Sequence, residues 1–417
     1  MNQPAVPGNR AFLNILAIAP LPFWSEGTET FLFGGSIFFA ELLPRLAQLG
    51  HTVRVIAEAP PMPADQPRTG LPWTIPNLAV EWFACVYRRG SSVASSFPPE
   101  EEHTQVRVIF DRMVRACRPD VVLLGRELHA WYLGDLCQEL ALPSLLIVHG
   151  TPAAAFVRET YPEAVKQELL ACFARSSRLV TVAPYLEKII RSHGVMQVQT
   201  IPNVTDTTRF RPLPKDPLLL KELRIAPHQV VVGHISALRP MYRPLDVVHS
   251  AERVLKAAPE VVYLIVGQGQ CRQEMEEFCR RKGITASFRY LGEVNHQQVL
   301  QYLNLMDMVL LPSESDGVPL FAYRETQACG RVLLLSDIPA ACEAVVDGET
   351  GVLFRLGDMQ DLATKTLALI RDASWRRKIG EQARAVAVTQ TLDRWVQAYD
   401  DVLRRTASYV ESPTAES

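Results

Sequence analysis

Short, continuously apolar runs alternate with stretches of helical character along most of this 417-residue chain. A run without polar alternation suits a strand that is buried on both faces, as in a parallel sheet covered by helices on either side. Successive runs lie about 25–35 residues apart, which is the spacing of a strand–helix–strand unit. The candidate strands are 14–19, 52–57, 80–86, 120–125, 144–150, 179–183, 230–236, 261–267, 288–292, 308–313 and 331–337. The sequence therefore predicts two doubly wound α/β domains in tandem.

A proline-rich segment predicts the boundary between the two domains. Four prolines and several polar turn formers lie between residues 201 and 217, which favours a linker over a helix or strand. We therefore expect an N-terminal Rossmann-like domain over residues 1–207 and a C-terminal one over 208–391. Residues 392–409 have the pattern of a long amphipathic helix that can pack back on the N-terminal domain, and 410–417 have the composition of a flexible tail.

The first helix is predicted from about Gly35 to Leu49, although Pro44 lies near its middle. A proline at that point kinks a helix or removes a hydrogen bond, at a cost of roughly 3 kcal/mol. Tertiary packing must offset this cost if the helix is to form.

Composition and charge exclude several classes of protein. The hydrophobic fraction of 48% and the charged fraction of 21% are typical of a globular chain, and the formal net charge of −2 offers no broad basic field for nucleic acid. No run of about 18 apolar residues is present, so no segment is predicted to span a bilayer. The N-terminus lacks the apolar core of a signal peptide. Eight cysteines are scattered without a Cys-x-x-Cys pair, which predicts reduced, buried thiols in a cytoplasmic protein and no metal site.

In doubly wound folds, ligands bind at the carboxyl ends of the strands, where loops lead into helix N-termini. Gly34 and Gly35 open the first helix, where backbone N–H groups can approach a phosphate, although a plain turn explains these glycines equally well. His149 ends a buried run and is either a structural histidine or a substrate contact. Arg239 and Arg243 follow a strand of the second domain, and they either clamp a diphosphate or lie solvated at the surface.

The segment SESDGVPLFAYRETQACG, residues 313–330, places two acids around the predicted start of a helix. We expect the amides of Gly317 and Val318 to face a ligand, and Asp316 to accept hydrogen bonds from its hydroxyl groups. We expect Glu325 to bind a vicinal diol such as a ribose. A helix cap or an exposed helical position explains each acid alone, whereas the two together favour a sugar nucleotide.

Eight motifs run nearly end to end along the chain: GG…LGHTVRVIA, RPDVVLLG, VHG, IPNVTDTTRFRP, YLIVGQGQ, YLGEVNHQQVLQYLNLMDMVLLPS, DGVP…ETQACG and EAVVDGETGVLF. In this order and spacing they resemble the retaining GT-B-fold glycosyltransferases of family 4, relatives of bacterial mannosyltransferases, sucrose synthase and glycogen synthase. The resemblance implies two Rossmann-like domains that face an interdomain cleft. It also implies that the N-terminal domain binds the acceptor and the C-terminal domain binds the nucleotide-sugar donor.

The resemblance implies roles for individual residues. Gly34 and Gly35 match the family's glycine turn beside the donor diphosphate, and His149 matches a histidine that contacts the transferred sugar. Asp316 matches the first of the family's two acids, which binds the sugar hydroxyls. Glu325 matches the second acid, which binds the ribose.

Further matches complete the implied donor site. The amides of Gly317 and Val318 match groups that touch the sugar and the phosphate. The segment around Val294 matches the loop that lines the nucleobase pocket. Arg239 and Arg243 are near enough to hold the diphosphate. The resemblance implies no metal and no other cofactor, because protein donors neutralise the leaving diphosphate.

Several positions depart from the family pattern. The first acid is Asp316 rather than a glutamate, and eight residues rather than the usual seven separate it from Glu325. Ala237 and Tyr242 stand where the family has an arginine and a lysine on the diphosphate, and Val204 stands where it has a glycine. Loss of one preorganised donor to a developing oxyanion costs roughly 2.7–4 kcal/mol, so nearby cations must compensate in an active enzyme.

The sequence therefore predicts a retaining glycosyltransferase of the hexosyltransferase type. Its partners are a nucleotide-sugar donor and a glycan, lipid or small-molecule acceptor, in glycan, polysaccharide or glycolipid biosynthesis. A lipid acceptor implies a peripheral membrane contact. Two alternatives stay open: a catalytically impaired homologue that binds sugar nucleotides or glycans, and a GT-B-fold sugar-nucleotide epimerase. A redox or P-loop enzyme is not supported, since neither G-x-G-x-x-G nor G-x-x-x-x-G-K-[ST] is present.

Overall fold

The computed structural model describes residues 11–21, 34–59, 75–84, 100–149, 163–314 and 321–408. The chain divides into two compact units, Met1–Pro202 with Asp393–Ser417, and Asn203–Leu392. Each unit contains one parallel β-sheet and the helices that connect its strands. This architecture confirms the predicted fold class of two doubly wound α/β domains.

The first unit begins with β1 and holds seven of the described strands. The strands are β1 (Asn14–Pro20), β2 (Thr52–Ala59), β3 (Leu78–Ala84), β4 (Val121–Leu124), β5 (Ser144–Val148), β6 (Arg178–Thr181) and β7 (Val198–Thr200). The helices between them are α1 (Gly34–Gln48), α2 (Glu100–Cys117), α3 (Glu127–Glu139), α4 (Glu163–Ala174) and α5 (Pro184–Ser192). The strands pair in the order β3-β2-β1-β4-β5-β6-β7, and every pairing is parallel.

The second unit holds six of the described strands. They are β8 (Val231–Ile235), β9 (Val262–Val266), β10 (Phe288–Gly292), β11 (Met308–Leu311), β12 (Val332–Ser336) and β13 (Val352–Phe354). The helices are α6 (Pro217–Glu222), α7 (Pro244–Ala257), α8 (Arg272–Arg281), α9 (His296–Leu305), α10 (Phe321–Ala328), α11 (Pro339–Ala344), α12 (Met359–Arg371) and α13 (Ala373–Ala387). The last helix, α14 (Leu392–Ala407), follows them in the chain but belongs to the first unit from Asp393 onward. The strands pair in parallel in the order β10-β9-β8-β11-β12-β13.

The central strands are the ones that the apolar runs predict best. Every residue of β4, β5, β8, β9, β11 and β12 is buried, because helices cover both faces of each sheet. The sequence analysis missed β7 and β13. Each has three residues and lies at the edge of its sheet, where a strand pairs on one side only and needs no long apolar run.

The helix α1 continues through Pro44. Its side chains Phe38, Phe39, Leu42 and Leu46 are fully buried. Burial of one such side chain contributes about 1.5–3 kcal/mol, so a few of them offset the roughly 3 kcal/mol cost of an internal proline.

The C-terminal helix α14 packs within the first unit from Asp393 onward. The rings of Trp395 and Tyr399 lie 5.1 Å and 5.5 Å from the ring of Phe38, both edge-on. These aromatic contacts join α14 to α1, and edge-to-face pairs add about 0.5–1.5 kcal/mol each beyond their buried area.

Most of the described cysteines are buried, as the sequence predicts. The buried ones are Cys137, Cys172, Cys271, Cys279 and Cys329, whereas Cys117 is half-buried and Cys85 lies outside the described residues. The prediction is wrong for Cys342, which is exposed because α11 turns its alanines inward and leaves Cys342 on its outer face. No helix within the described ranges combines the length and the apolar character needed to cross a membrane.

Candidate functional site

The loops that follow β8, β9, β10 and β11 lie at one edge of the second unit's sheet, because these strands are parallel. Backbone hydrogen bonds join the four loops to one another. The bonds run from Leu238 N–H to Gln268 O (3.0 Å), from Gly267 N–H to Gly292 O (2.7 Å) and from Glu314 N–H to Met241 O (3.1 Å). This edge is therefore a connected backbone scaffold rather than a set of independent loops.

Gly267 allows the closest approach between two of these loops. Its φ is +130°, and a Cβ atom at this position would lie 1.9 Å from the carbonyl oxygen of Ser236. Only a glycine fits in this conformation and this space. The tight contact sets the path of the chain from Ser236 to the predicted site residue Arg239.

Arg239 and Arg243 lie on the same loop but have different surroundings. Arg239 precedes a short 3₁₀ turn and has no ion pair or side-chain hydrogen bond within the described ranges. Arg243 has a left-handed backbone, with φ 46° and ψ 45°, and directly precedes α7. Its Nε lies 2.7 Å from Asp246 Oδ2, and its Nη1 lies 3.7 Å from Glu314 Oε2.

The two carboxylates determine what Arg243 can do. The hydrogen bond to Asp246 is the largest cause that raises the pKa of Arg243, and Glu314 acts in the same direction. Two acidic side chains therefore compensate the charge of Arg243 within the second unit. The sequence predicts Arg239 and Arg243 as a diphosphate clamp, but acids already hold Arg243. Arg239 is the one of the two that no described acid compensates.

Glu325 lies inside α10 and is only 3% exposed, which excludes the simple reading of an exposed helical acid. Its Oε1 atom lies 2.5 Å from Nε2 of His296, the first residue of α9. His296 is itself positioned by its neighbours. Its carbonyl oxygen accepts a hydrogen bond from Arg209 Nη2 (2.8 Å), and its ring lies 5.4 Å from the ring of Phe210.

Val294 and Glu325 are brought together by the start of α9. Val294 is half-buried and packs against the apolar core of the second unit. The next residue, Asn295, caps α9 with a reciprocal pair of hydrogen bonds to Gln298. His296 follows and contacts Glu325, so the predicted nucleobase loop and the predicted ribose-binding acid lie at one corner of this unit. The sequence analysis missed His296, although the N-x-x-Q capping box marks the helix start beside it.

The first unit has its own polar cluster at the carboxyl ends of β2 and β4. Glu58 Oε1 accepts hydrogen bonds from Arg126 Nε (3.0 Å) and Nη2 (2.5 Å) and lies 2.6 Å from His129 Nε2. Burial raises the pKa of Glu58, but the charge of Arg126 and the hydrogen bonds from His129 and Arg126 outweigh it and hold this pKa at about 2. Burial is also the largest cause that lowers the pKa of His129. The sequence analysis missed this cluster because Glu58 and His129 are 71 residues apart in the chain and no motif links them.

His149 lies directly after β5, against α1. The rings of Phe38 and Phe39 lie 4.9 Å and 5.8 Å from the ring of His149. Its Nε2 atom is enclosed and has no hydrogen-bond partner in the described part of the chain. Burial lowers the pKa of His149 to about 4, with the charge of Arg126 acting in the same direction. The imidazole is therefore neutral at pH 7 and offers an unused polar atom.

Gly34 and Gly35 are the first two residues of α1, as the glycine turn predicts. The positive end of the α1 dipole lies at these residues, which favours an anion there. Asp316, Gly317 and Val318 lie outside the described residues, so the first acid of the predicted pair and the two predicted amide donors stay predictions. Across the described ranges, no group of three or more His, Cys, Asp or Glu side chains is arranged to hold a metal ion.

Comparison with known families divides the chain near the boundary between the two units. A model described as Glycosyltransferase Family 4 matches residues 34–209, and one described as Glycosyl transferases group 1 matches residues 217–386. The chain is 28% identical over 246 residues to a D-inositol 3-phosphate glycosyltransferase of Nocardia farcinica, covering 56% of this chain and 54% of that protein. It is 24% identical over 286 residues to a glycogen synthase of Mycobacterium tuberculosis, covering 65% and 64%. The chain thus spans between about half and two thirds of the length of these curated relatives.

Solved structures resemble the chain over nearly its whole length. Anabaena Alr3699/HepE in complex with UDP matches with a TM-score of 0.73 and 16% identity, over 94% of this chain and 100% of that one. Sucrose-phosphate synthase from Thermosynechococcus elongatus matches with a TM-score of 0.77 and 16% identity, over 94% of this chain and 98% of that one. At this identity the likeness shows a shared fold.

Proposed function

Because the chain belongs to the GT-B glycosyltransferases, with a family 4 N-terminal half and a group 1 C-terminal half, we propose that it transfers a sugar from a nucleotide-diphosphate sugar to an acceptor hydroxyl. The donor binds the second unit and the acceptor binds the first. The anomeric configuration of the sugar is retained. The reaction serves the synthesis of a glycan, a polysaccharide or a glycolipid in the cytoplasm.

The contact between Glu325 and His296 is the observation that carries this proposal. A carboxylate offers only acceptor atoms, which suits the two adjacent hydroxyl groups of a ribose. Within the described ranges, the Glu325 carboxylate has a single hydrogen-bond partner, His296, which contacts Oε1. The second oxygen, Oε2, is left for the ligand. A buried acid held in this way at the carboxyl edge of a parallel sheet is typical of a nucleoside-binding site.

The bond between the anomeric carbon and the diphosphate breaks during the proposed transfer, and the diphosphate keeps the electron pair. Arg239 lies at the same edge and stabilises the negative charge that develops on the leaving group. The acceptor hydroxyl attacks the same face of the sugar, and its proton passes to the departing phosphate oxygen. The neutral imidazole of His149 orients a sugar hydroxyl. No metal ion takes part in this scheme, since protein cations and amides compensate the charge.

The polar cluster of the first unit supports the assignment of the acceptor to that unit. Glu58 is anionic at neutral pH, because its pKa is about 2, and Arg126 and His129 hold it in one orientation. Such a fixed carboxylate at a strand end can accept hydrogen bonds from an acceptor hydroxyl. The acceptor is a glycan, a lipid or a small molecule, and a lipid acceptor brings a peripheral membrane contact.

A thermal-shift screen against UDP-, GDP- and ADP-sugars tests the donor, since a ligand that binds the folded state raises the melting temperature by mass action. The donor that shifts the wild-type chain is then incubated with an acceptor panel, and the anomeric configuration of the product is read by NMR. A retained configuration supports the proposal. An inverted product contradicts the retaining step, and absence of both binding and transfer contradicts the whole proposal.

A second candidate function has a specific observation in its favour. Arg243 is held by Asp246 and Glu314, and Ala237 and Tyr242 carry no cation, so the diphosphate site has fewer free cations than the family pattern. A chain with this deficit can bind sugar nucleotides without transferring the sugar. Calorimetry that finds donor binding, together with no transfer and no hydrolysis across the acceptor panel, would favour this candidate.

A further inference from the structure

Arg324 is a buried arginine whose charge has almost no compensation from the residues that the structure describes. The residue is 7% exposed and precedes Glu325 in α10. Its Nη1 atom donates to Gln327 Oε1 at 3.3 Å, and its Nε atom is enclosed and has no acceptor among the described residues. No carboxylate of the described residues pairs with it. Burial lowers the pKa of Arg324 to about 10, so the side chain is still positively charged at pH 7.

Arg331 and Arg126 make more contacts through their guanidinium groups, although Nε of Arg331 is likewise enclosed without an acceptor in the described part of the chain. The guanidinium of Arg331 donates to the carbonyl oxygens of Leu213 and Asn304 and to the Asn304 side chain. Arg126 pairs with a carboxylate, that of Glu58. A buried cation without such partners is strongly unfavourable, and proteins avoid it unless a counter-charge is supplied. The environment of Arg324 is therefore incomplete in the described part of the chain.

The position of Arg324 in α10 adds to the imbalance. Phe321 is the first residue of the helix, so Arg324 lies in its first turn, where the helix dipole is positive and disfavours a cation. The same turn lies at the carboxyl edge of the sheet, after β11. Gln327, which accepts from Arg324, donates in turn to the carbonyl oxygen of Ala344 at the end of α11. Arg324 thus lies on the face of α10 that turns toward α11.

An anion beside the first turn of α10 would relieve both the burial of the guanidinium and the effect of the helix dipole. The enclosed atom is Nε, whereas Nη2 has no acceptor within the described ranges and is not enclosed. A ligand can therefore reach the guanidinium at Nη2. The arginine side chain is suited to a diphosphate, since its planar fork donates two parallel hydrogen bonds.

We propose that Arg324 binds the diphosphate of the donor, together with Arg239. This inference rests on the proposed function for the identity of the anion. Ala237 and Tyr242 carry no charge, and Arg243 is held by acids, so the second unit needs a cation from another element. Arg324 supplies that cation from α10.

Calorimetry on the full chain with inorganic pyrophosphate, UDP and uridine tests this assignment. We expect R324M to weaken the binding of pyrophosphate and UDP by about 10- to 100-fold, the effect of one charge-assisted hydrogen-bonding partner. We expect uridine affinity to be unchanged and the melting temperature of the free chain to be no lower than that of wild type. R324K keeps the charge and should restore part of the pyrophosphate affinity.

R289M is the matched control. It removes the same charge, but at the amino end of a strand, away from the carboxyl edge of the sheet where Arg324 lies. Arg289 is the second residue of β10 and donates to the carbonyl oxygens of Leu223 and Arg224. We expect R289M to bind pyrophosphate as wild type does. Equal pyrophosphate affinity in wild type and R324M would overturn the assignment of Arg324 alone. Absence of pyrophosphate and UDP binding in wild type would overturn the proposed function as well.

A structural role for the charge gives a different result. If R324M fails to fold while R324K folds and binds pyrophosphate as tightly as wild type, the positive charge is needed for folding and not for ligand binding. The inference is then wrong. If R324K folds and binds pyrophosphate more weakly than wild type but more tightly than R324M, the guanidinium geometry matters and the inference is supported.

Discussion

His51 Nε2 lies 2.9 Å from Asp400 Oδ1, and both side chains are buried, although 349 residues separate them in the chain. Leu13 N–H donates to the other ring nitrogen of His51, at 2.9 Å. The neutral ring therefore carries its proton on Nε2 and donates it to the carboxylate. Burial lowers the pKa of His51, and the charge of Asp400 opposes this effect. The pair joins α14 to the start of β2 in the first unit.

We expect D400L to destabilise the first unit by about 1–3 kcal/mol, because the enclosed His51 N–H loses its acceptor. D400N keeps an acceptor oxygen at the same place and should cost less. Urea unfolding followed by circular dichroism measures both variants. A D400L chain that unfolds at the wild-type urea concentration would show that the pair does not hold α14 in place.

Glu58 should make the stability of the first unit depend on acid. Its folded-state pKa is about 2, below the ordinary value of 4.5, so the folded chain binds fewer protons than the unfolded chain. The stabilisation is present above pH 4.5 and is lost as the pH falls toward 2. At pH 7, E58Q should cost about 3–5 kcal/mol, because it removes the buried carboxylate that pairs with Arg126 and contacts His129.

Urea unfolding of wild type and E58Q between pH 7 and pH 3 measures this dependence. The stability difference between the two chains should shrink steadily below pH 4.5, the range in which Glu58 begins to be protonated in the unfolded state. A constant difference over the whole range would mean that Glu58 is not held as an anion by Arg126 and His129.

His296 should act on the donor through Glu325. H296L removes the hydrogen-bond donor at 2.5 Å and frees the carboxylate to rotate, so we expect the KM for the nucleotide sugar to rise about tenfold with a smaller change in kcat. H296Q places an amide N–H near the position of Nε2 and should recover much of the affinity. The double variant H296L/E325A should bind the donor no more weakly than E325A alone. Additive losses would show that the two residues act independently.

His149 should stay neutral throughout the physiological range. Its pKa of about 4 lies below the ordinary value of 6.5 because burial disfavours the imidazolium. We expect the NMR signal of its ring, assigned by its loss in H149N, to titrate with a midpoint near pH 4 rather than pH 6.5. A midpoint above pH 6 would contradict the role of a neutral hydrogen-bonding imidazole.

Gly267 and Gly283 form a matched pair for testing the loop scaffold. Both have positive φ, but a Cβ at Gly267 would lie 1.9 Å from a backbone oxygen, whereas a Cβ at Gly283 would have no atom within 4 Å. G283A should therefore cost about 1–2 kcal/mol from backbone strain alone. G267A should cost roughly 1–3 kcal/mol more and also weaken donor binding, since the loop that carries Arg239 must move. Equal stability and donor affinity in the two variants would contradict the tight contact between the loops.

Much of the fold could be predicted from local patterns. The buried runs that become β4, β5, β8, β9, β11 and β12 are continuous and apolar, and such runs have few other stable arrangements. The edge strands β7 and β13 were missed, because a strand of three residues with one paired side leaves a weak pattern. The helix through Pro44 was predicted only on the condition that packing offset the proline, and the buried face of α1 meets that condition.

The candidate site also has some features that local sequence predicts and others that only the structure reveals. Glycines at a helix start, a histidine after a strand and an acid inside a helix are features of local sequence, and the structure places Gly34, His149 and Glu325 in these positions. Their roles in binding stay predictions. The sequence did not reveal that His296 contacts Glu325, that acids hold Arg243, or that no described carboxylate pairs with Arg324.

By itself, the order of residues determined where strands, helices and ligand-binding loops occur, because each depends on neighbours within a few positions. The tertiary structure decided which polar side chains are satisfied and which keep a hydrogen-bonding atom or a charge for a ligand. Those properties depend on burial and on partners far away in the chain, such as Asp400 for His51. Coulomb and hydrogen-bond energies change steeply over a few ångströms, and only the folded chain sets those distances.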